Sequence, residues 1–195
     1  MIATLAARLA LAGLLLCAAC LLPASGRAAV SLVPTWIKND PAGKSVRLDL
    51  AADWNANNVT TGCGGNLNGY FRGSVTILIP EGWSVTIDYH LIGDKRWHSL
   101  MLTKPYDPTN LPIRVSAAEA VDGVHSRNPI DGLAPGENDH LRFTSRAGRY
   151  WLISATGTDL ISGGWIGLEV KEGLEKAELQ FNDDRVRRGH PAGRL

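Results

Sequence analysis

Alternation of apolar and polar residues predicts strands in the first half of the chain. Every second residue is apolar in residues 45–51, 73–80 and 83–89, which is the pattern of strands with one buried face. The second and third of these runs are joined by the turn Pro80-Glu81-Gly82. They are therefore predicted to form either a hairpin or a pair of strands that crosses between two sheets.

Two further strands flank a long polar loop near the end of the chain. Residues 149–153 and 165–170 are strand-like, and the loop between them is rich in Ser, Thr, Gly and Asp. This layout predicts a β-hairpin with a long tip. Ordering a tip of that length costs conformational entropy, and such loops often carry function. The tip is therefore the first candidate for a functional site.

The stretch between residues 103 and 140 is predicted to be a connection with short helical turns. Pro105, Pro108 and Pro112 exclude a long helix at its start, and residues 116–121 are Ala-rich but few. Residues 141–144 form the predicted strand before the hairpin.

Composition supports one folded domain. The chain has 195 residues, of which 45% are hydrophobic and 20% charged, so it has enough apolar material for one sizeable core. The formal net charge is +1, which gives no strong field towards nucleic acid.

The two ends of the chain are predicted to lie outside that domain. Residues 1–29 contain Arg8, an apolar run over 9–22 and small residues near Gly26 and Ala28, which is the pattern of a cleaved secretory signal peptide. The run is too short for a comfortable membrane span. We expect an exported protein, periplasmic or extracellular, with a domain over 30–181 and a disordered basic tail over 182–195.

The three cysteines add an alternative at the N-terminus. Ala18-Ala19-Cys20 also resembles the site of a lipidated cysteine, so a lipid anchor at Cys20 is an open alternative. Cys17 and Cys20 fall in the predicted signal peptide, which leaves Cys63 without an internal disulfide partner. Cys63 is either a small buried hydrophobe or a free thiol.

Three separated motifs resemble the sulfocyanins, a family of blue copper proteins in the cupredoxin superfamily. N-L-N-G-Y followed by I-P-E-G-W-S-V is similar to the family's N-F-N-G-Y and V-P-A-G-W-x-V. W-H-S-L around His98 is similar to P-H-S-L. The hairpin is similar to Y-Y-L-V-C-G-V-P-G-H-A-x-S-G-M-W, and six of its residues match without a gap: Tyr150, Leu152, Gly157, Ser162, Gly163 and Trp165.

The resemblance implies a cupredoxin-like Greek-key β-sandwich of about seven or eight strands. It also implies a site where two His, one Cys and one Met hold copper. His98 matches the upstream His, but Ser154 stands at the Cys position, Asp159 at the second His and Gly164 at the Met. The matching residues are those of the scaffold, and those that differ carry the chemistry.

These departures decide the expected function. A blue copper centre needs a soft thiolate, and a serine hydroxyl does not replace it. We expect no copper cofactor and a binding or interaction module with a protein or small-molecule partner at the hairpin end. The alternative is a weak copper binder or carrier, or an electron-transfer protein by descent.

Three further questions about the site stay open from the sequence. His98 either binds a metal or is simply hydrogen-bonded, and with Asp159 and Ser154 it is also a candidate hard-metal site. Ser154 lies in S-A-T-G rather than in G-x-S-x-G, so we expect no enzyme activity. Trp97, Trp151 and Trp165 form either an aromatic binding patch or part of the core.

Overall fold

The computed structural model describes residues 31–52, 66–92 and 96–182. These residues form eleven strands, one 3₁₀ turn and one short helix. The strands are β1 (Ser31–Leu32), β2 (Ile37–Asp40), β3 (Ser45–Ala52), β4 (Val75–Pro80), β5 (Ser84–Leu91), β6 (Met101–Thr103), β7 (Ala120–His125), β8 (Asn138–Thr144), β9 (Gly148–Ile153), β10 (Trp165–Lys171) and β11 (Glu178–Phe181). The 3₁₀ turn is Ala117–Glu119 and the helix, α1, is Asp159–Ser162.

The strands form two sheets that face each other across one main core. The larger sheet has the order β1-β11-β4-β10-β9-β6-β7, and the smaller has the order β2-β3-β5-β8. Apolar side chains from both sheets meet between them, among them Leu48, Ile77, Ile87 and Leu152, which are fully buried. The predicted all-β sandwich is confirmed, with more strands than the seven or eight expected; four of the eleven, β1, β2, β6 and β11, have only two to four residues.

The run from β4 to β5 crosses between the sheets. β4 lies in the larger sheet and β5 in the smaller, so the hairpin alternative is wrong. The hydroxyl of Ser145 stabilises the turn between β4 and β5, because it donates to Pro80 O at 2.7 Å and accepts from Trp83 N at 2.8 Å.

The predicted helical stretch over 116–121 is only half helical. Ser116 and Glu119 cap the 3₁₀ turn at Ala117–Glu119, which is one of the predicted short helical turns. The chain then enters β7, where Ala120 pairs with Thr103 of β6. Strand pairing here overrides the helix propensity of alanine.

The hairpin near the end of the chain is confirmed. β9 and β10 pair antiparallel, with Trp165 opposite Ile153 at the root of the tip. The tip contains α1, and the residue that follows and caps it, Gly163, is in the left-handed conformation at φ +109. Glycine adopts that conformation without the steric strain of a side chain.

A second apolar cluster covers the outer face of the larger sheet. It includes Met101, Trp151, Ile153 and Val115, so the connection after β6 packs over this face. Trp151 stacks on Trp165, with ring centroids 3.8 Å apart and planes 13° apart. Trp151 is therefore a buried member of this cluster and Trp165 packs against it partly buried, whereas Trp97 is 53% exposed.

The predicted signal peptide, Cys63 and residues 183–195 of the predicted tail lie outside the described residues. Among the residues that are described, no helix has the length and apolar character needed to cross a membrane.

Candidate functional site

His98 is held against the body of the sandwich just before β6. Its carbonyl accepts from Leu133 N at 2.8 Å, and a Cβ on Gly132 would lie 3.0 Å from His98 N and 3.1 Å from His98 O. Gly132 also has φ +87, so this close approach requires glycine. In this position His98 is only 1% exposed.

The hairpin tip is closed by its own backbone. Ser154 directly follows β9, and its N–H donates to Gly164 O at 2.8 Å. Gly164 N in turn donates to Asp159 O at 2.8 Å. Three of the four positions that the resemblance marks as ligand positions are thus joined along the main chain.

The side chains complete the connection to His98. Ser154 Oγ donates to Asp159 Oδ2 at 2.6 Å, and His98 Nδ1 lies 2.7 Å from the same oxygen. Both distances are short, as expected for hydrogen bonds to a carboxylate. The structure therefore brings His98, Ser154 and Asp159 into direct contact, and it brings Gly164 beside them through backbone bonds.

A second serine supports this cluster and was missed by the sequence analysis. Ser99 N donates to Ser154 Oγ at 3.2 Å, and Ser99 Oγ accepts from Ala155 N at 2.9 Å. The Ser99 carbonyl accepts from the hydroxyl of Tyr89, a core residue of β5, at 3.1 Å. Ser99 belongs to the H-S-L motif, so its place in the motif was a signal for a role beside His98.

The residues present do not fit a blue copper ion. The cysteine position holds a hydroxyl, the methionine position has no side chain, and His98 Nδ1 faces the carboxylate of Asp159. Within residues 31–52, 66–92 and 96–182, no group of three or more His, Cys, Asp or Glu side chains is placed to hold a metal. A hard-metal site at His98 and Asp159 would also need more ligands than these two side chains.

The cluster does not have the geometry of a serine nucleophile. In a catalytic triad the imidazole lies between the serine and the carboxylate and takes the serine proton. Here the Ser154 hydroxyl donates to Asp159 itself, and Ser154 is 1% exposed. The hydroxyl of Ser154 is thus bonded to a carboxylate rather than to an imidazole, which is not the arrangement of a triad.

Exposed apolar side chains flank the buried polar cluster. Trp97, next to His98, is 53% exposed, and Ile161, in α1, is 41% exposed. Because His98 and Asp159 are in direct contact, the two apolar residues belong to segments that meet at the hairpin end. Sequence patterns did not reveal Ile161, since its exposure depends on how α1 packs.

No protein-family model matches the sequence, and a search of curated proteins found no significant match. The chain is similar to solved structures of rusticyanin, which is described as a copper protein, and of auracyanin. A structure of rusticyanin is 15% identical, with a TM-score of 0.49 over 70% of this chain and 87% of that one. Rusticyanin from Thiobacillus ferrooxidans is 16% identical, with a TM-score of 0.43 over 70% and 86%. Reduced auracyanin from Roseiflexus castenholzii is 13% identical, with a TM-score of 0.45 over 64% and 96%.

These likenesses concern the overall architecture and do not assign a copper site or an activity to this chain.

Proposed function

We propose that this protein is an exported, cupredoxin-like binding module that does not use copper. The observation that carries the proposal is the hydrogen-bonded contact of His98, Ser154 and Asp159, where a blue copper site would need a thiolate and free imidazole nitrogens. The cupredoxin-like part of the proposal is supported by the three sulfocyanin-like motifs and by the two-sheet sandwich.

The copper question has a direct test. Purified mature protein mixed with copper(II) is expected to stay colourless, because the intense visible band of blue copper proteins requires a copper–thiolate bond. The control is Cys63→Ser, since Cys63 supplies the one thiol of the predicted mature chain. A blue wild type that loses its colour in Cys63→Ser would establish the alternative, a copper protein with a rearranged site.

The proposed partner is a protein with an apolar surface, bound at the hairpin end. Trp97 and Ile161 present apolar side chains there, and burying such side chains is a common source of binding energy in protein interfaces. Catalysis is not part of the proposal, since the Ser154 hydroxyl donates to Asp159 rather than to the imidazole that a serine triad requires.

Site-specific photo-crosslinking in the native host tests the partner surface. A photoreactive residue at Ile161 is expected to give one defined crosslinked protein, and Trp97→Ser is expected to abolish that product. Val33 is the matched control, because it is exposed to the same degree, 41%. It follows β1, and two strands, β11 and β4, lie between β1 and the hairpin strand β10 in the sheet. The same product from position 33, or no product from 161, would refute a binding surface at the hairpin end.

Export is proposed from the N-terminal sequence pattern. Intact mass of the native protein is expected to show cleavage near Gly26 or Ala28. A mass that begins at Cys20 and includes acyl chains would instead establish the lipid anchor.

A further inference from the structure

Asp159 makes a contact that its local position does not explain. It is the first residue of α1, where an acidic side chain ordinarily interacts with the free N–H groups of its own turn. The preceding Thr158 makes no side-chain capping bond, yet the Asp159 carboxylate turns to His98, 61 residues away in sequence. Asp159 thus makes a long-range contact with His98 instead of a local contact within its own helical turn.

His98 and Asp159 belong to different parts of the structure. The His98 backbone is held by Leu133 and lies against Gly132, so its ring belongs to the body of the sandwich. Asp159 belongs to the tip, which leaves the sheet after Ser154 and returns at Trp165. The carboxylate is therefore a bridge between the tip and the body.

We propose that Asp159 is a positioning residue that cross-links the hairpin tip to the sandwich and thereby withholds His98 Nδ1 from metal ions. An ionised carboxylate only accepts hydrogen bonds, so its bond with His98 requires the proton on Nδ1. A metal ion requires the lone pair of that same nitrogen. The cross-link and metal binding at Nδ1 exclude each other.

This proposal rests on the metal-free interpretation given above, and the two fail by different results. A copper-bound wild type overturns that interpretation. Unchanged dynamics of the tip in an Asp159 variant overturn the cross-link alone.

Amide hydrogen exchange measures the cross-link. Asp159→Leu keeps the approximate size of the side chain and removes both acceptor oxygens, of which asparagine would retain one. Exchange at Ser162, Gly163 and Gly164, whose N–H groups bond within the tip, is expected to accelerate at least about tenfold, the factor for one lost hydrogen bond to a charged group. The control Glu172→Gln also removes one negative charge, at an exposed position after β10, and should leave tip exchange unchanged.

The proton on His98 gives a signature that a general packing role would not produce. Nitrogen-15 NMR of the imidazole is expected to show a protonated, slowly exchanging Nδ1 in the wild type. Ser154→Ala, which removes the other donor to Asp159 Oδ2, should keep that signal, whereas Asp159→Leu should lose it. If Asp159→Leu does not fold, the wild type and Ser154→Ala still decide this point.

Three results would overturn the proposal. They are tip exchange in Asp159→Leu that equals the wild type, an unprotonated Nδ1 in the wild type, and binding of ZnCl2 by the wild type through His98 Nδ1 with the tip still protected.

Discussion

Gly73 and Gly82 adopt similar backbone conformations in very different surroundings. Their φ angles are +62 and +75, which favour glycine in both cases. A Cβ on Gly73 would lie 2.2 Å from the ring of Trp165, whereas a Cβ on Gly82 would meet nothing within 4 Å. The pair therefore separates the conformational role of glycine from its packing role.

Alanine substitutions at these two glycines should differ in cost. Gly82→Ala is expected to lower the free energy of unfolding by about 1 kcal/mol, the strain of a left-handed alanine. Gly73→Ala should lose roughly 1–3 kcal/mol more, because Trp165 must move from its place against Trp151. Urea unfolding measures both values, and equal losses would contradict the packing of Trp165 on Gly73.

At the same scale, the sequence predicted which residues meet in the site but not how they meet. The spacing of the hairpin motif placed Ser154, Asp159 and Gly164 together, and the H-S-L motif placed His98 beside them. The orientation of the Asp159 carboxylate was not predictable, because the local sequence gives it an equally good partner in its own helical turn. Only the position of the buried imidazole decides between the two.

At the scale of elements, strands with one buried face were found and irregular ones were not. Polar and apolar residues alternate over the first six positions of β3 and over all eight of β5, which is a strong period-two signal. β7 contains Asp122 and Gly123 with φ +52 and +69, so its pattern is interrupted. β11 was missed within a charged stretch, although Leu179 and Phe181 alternate inward.

Asn39 links the edge strand of the smaller sheet to the start of β11 in the larger sheet. It lies in β2 of the smaller sheet, and its amide bonds the backbone of Ala177, just before β11 of the larger sheet. Nδ2 donates to Ala177 O at 2.9 Å and Oδ1 accepts from Ala177 N at 2.7 Å. One side chain thus supplies both bonds that a neighbouring strand would make.

Removing this link should destabilise the sandwich measurably. Asn39→Ala is expected to lower the free energy of unfolding by about 1–3 kcal/mol, because two part-buried backbone groups lose their partners. Asn39→Asp should be at least as harmful, since a carboxylate oxygen would face Ala177 O. Asn110→Ala, at an exposed turn, is the control, and a loss as large there would argue against a specific role for Asn39.

For the whole molecule, Asp88 on the outer face of the smaller sheet is a group through which acid should act on stability. Its side chain is 5% exposed and bonds Arg47 and, at 2.7 Å, His140 Nδ1. Burial by itself would raise the pKa of Asp88, but the hydrogen bonds and charges of Arg47 and His140 outweigh it and lower the pKa below 3.8. A carboxyl with a lowered pKa stabilises the folded state while it is ionised.

Stability should therefore fall in acid through this group. The contribution is fully present above the unfolded pKa, near 3.8, and is lost as the pH falls through the lower folded value. Asp88→Asn is expected to lose about 1–3 kcal/mol at pH 7 and to approach the wild type below the folded pKa. Urea unfolding as a function of pH measures this, with exposed Asp131→Asn as control; a constant gap between Asp88→Asn and wild type would contradict it.

The stacked pair of Trp151 and Trp165 is an intrinsic spectroscopic probe of the hairpin. Two indoles whose centroids are 3.8 Å apart share their electronic excitation, so they should produce an exciton couplet in the circular dichroism spectrum. Trp151 lies in β9 and Trp165 opens β10, so the couplet would report on the root of the hairpin rather than on secondary structure as a whole. Following the couplet during unfolding would show whether the root of the hairpin separates before or together with the loss of the two sheets.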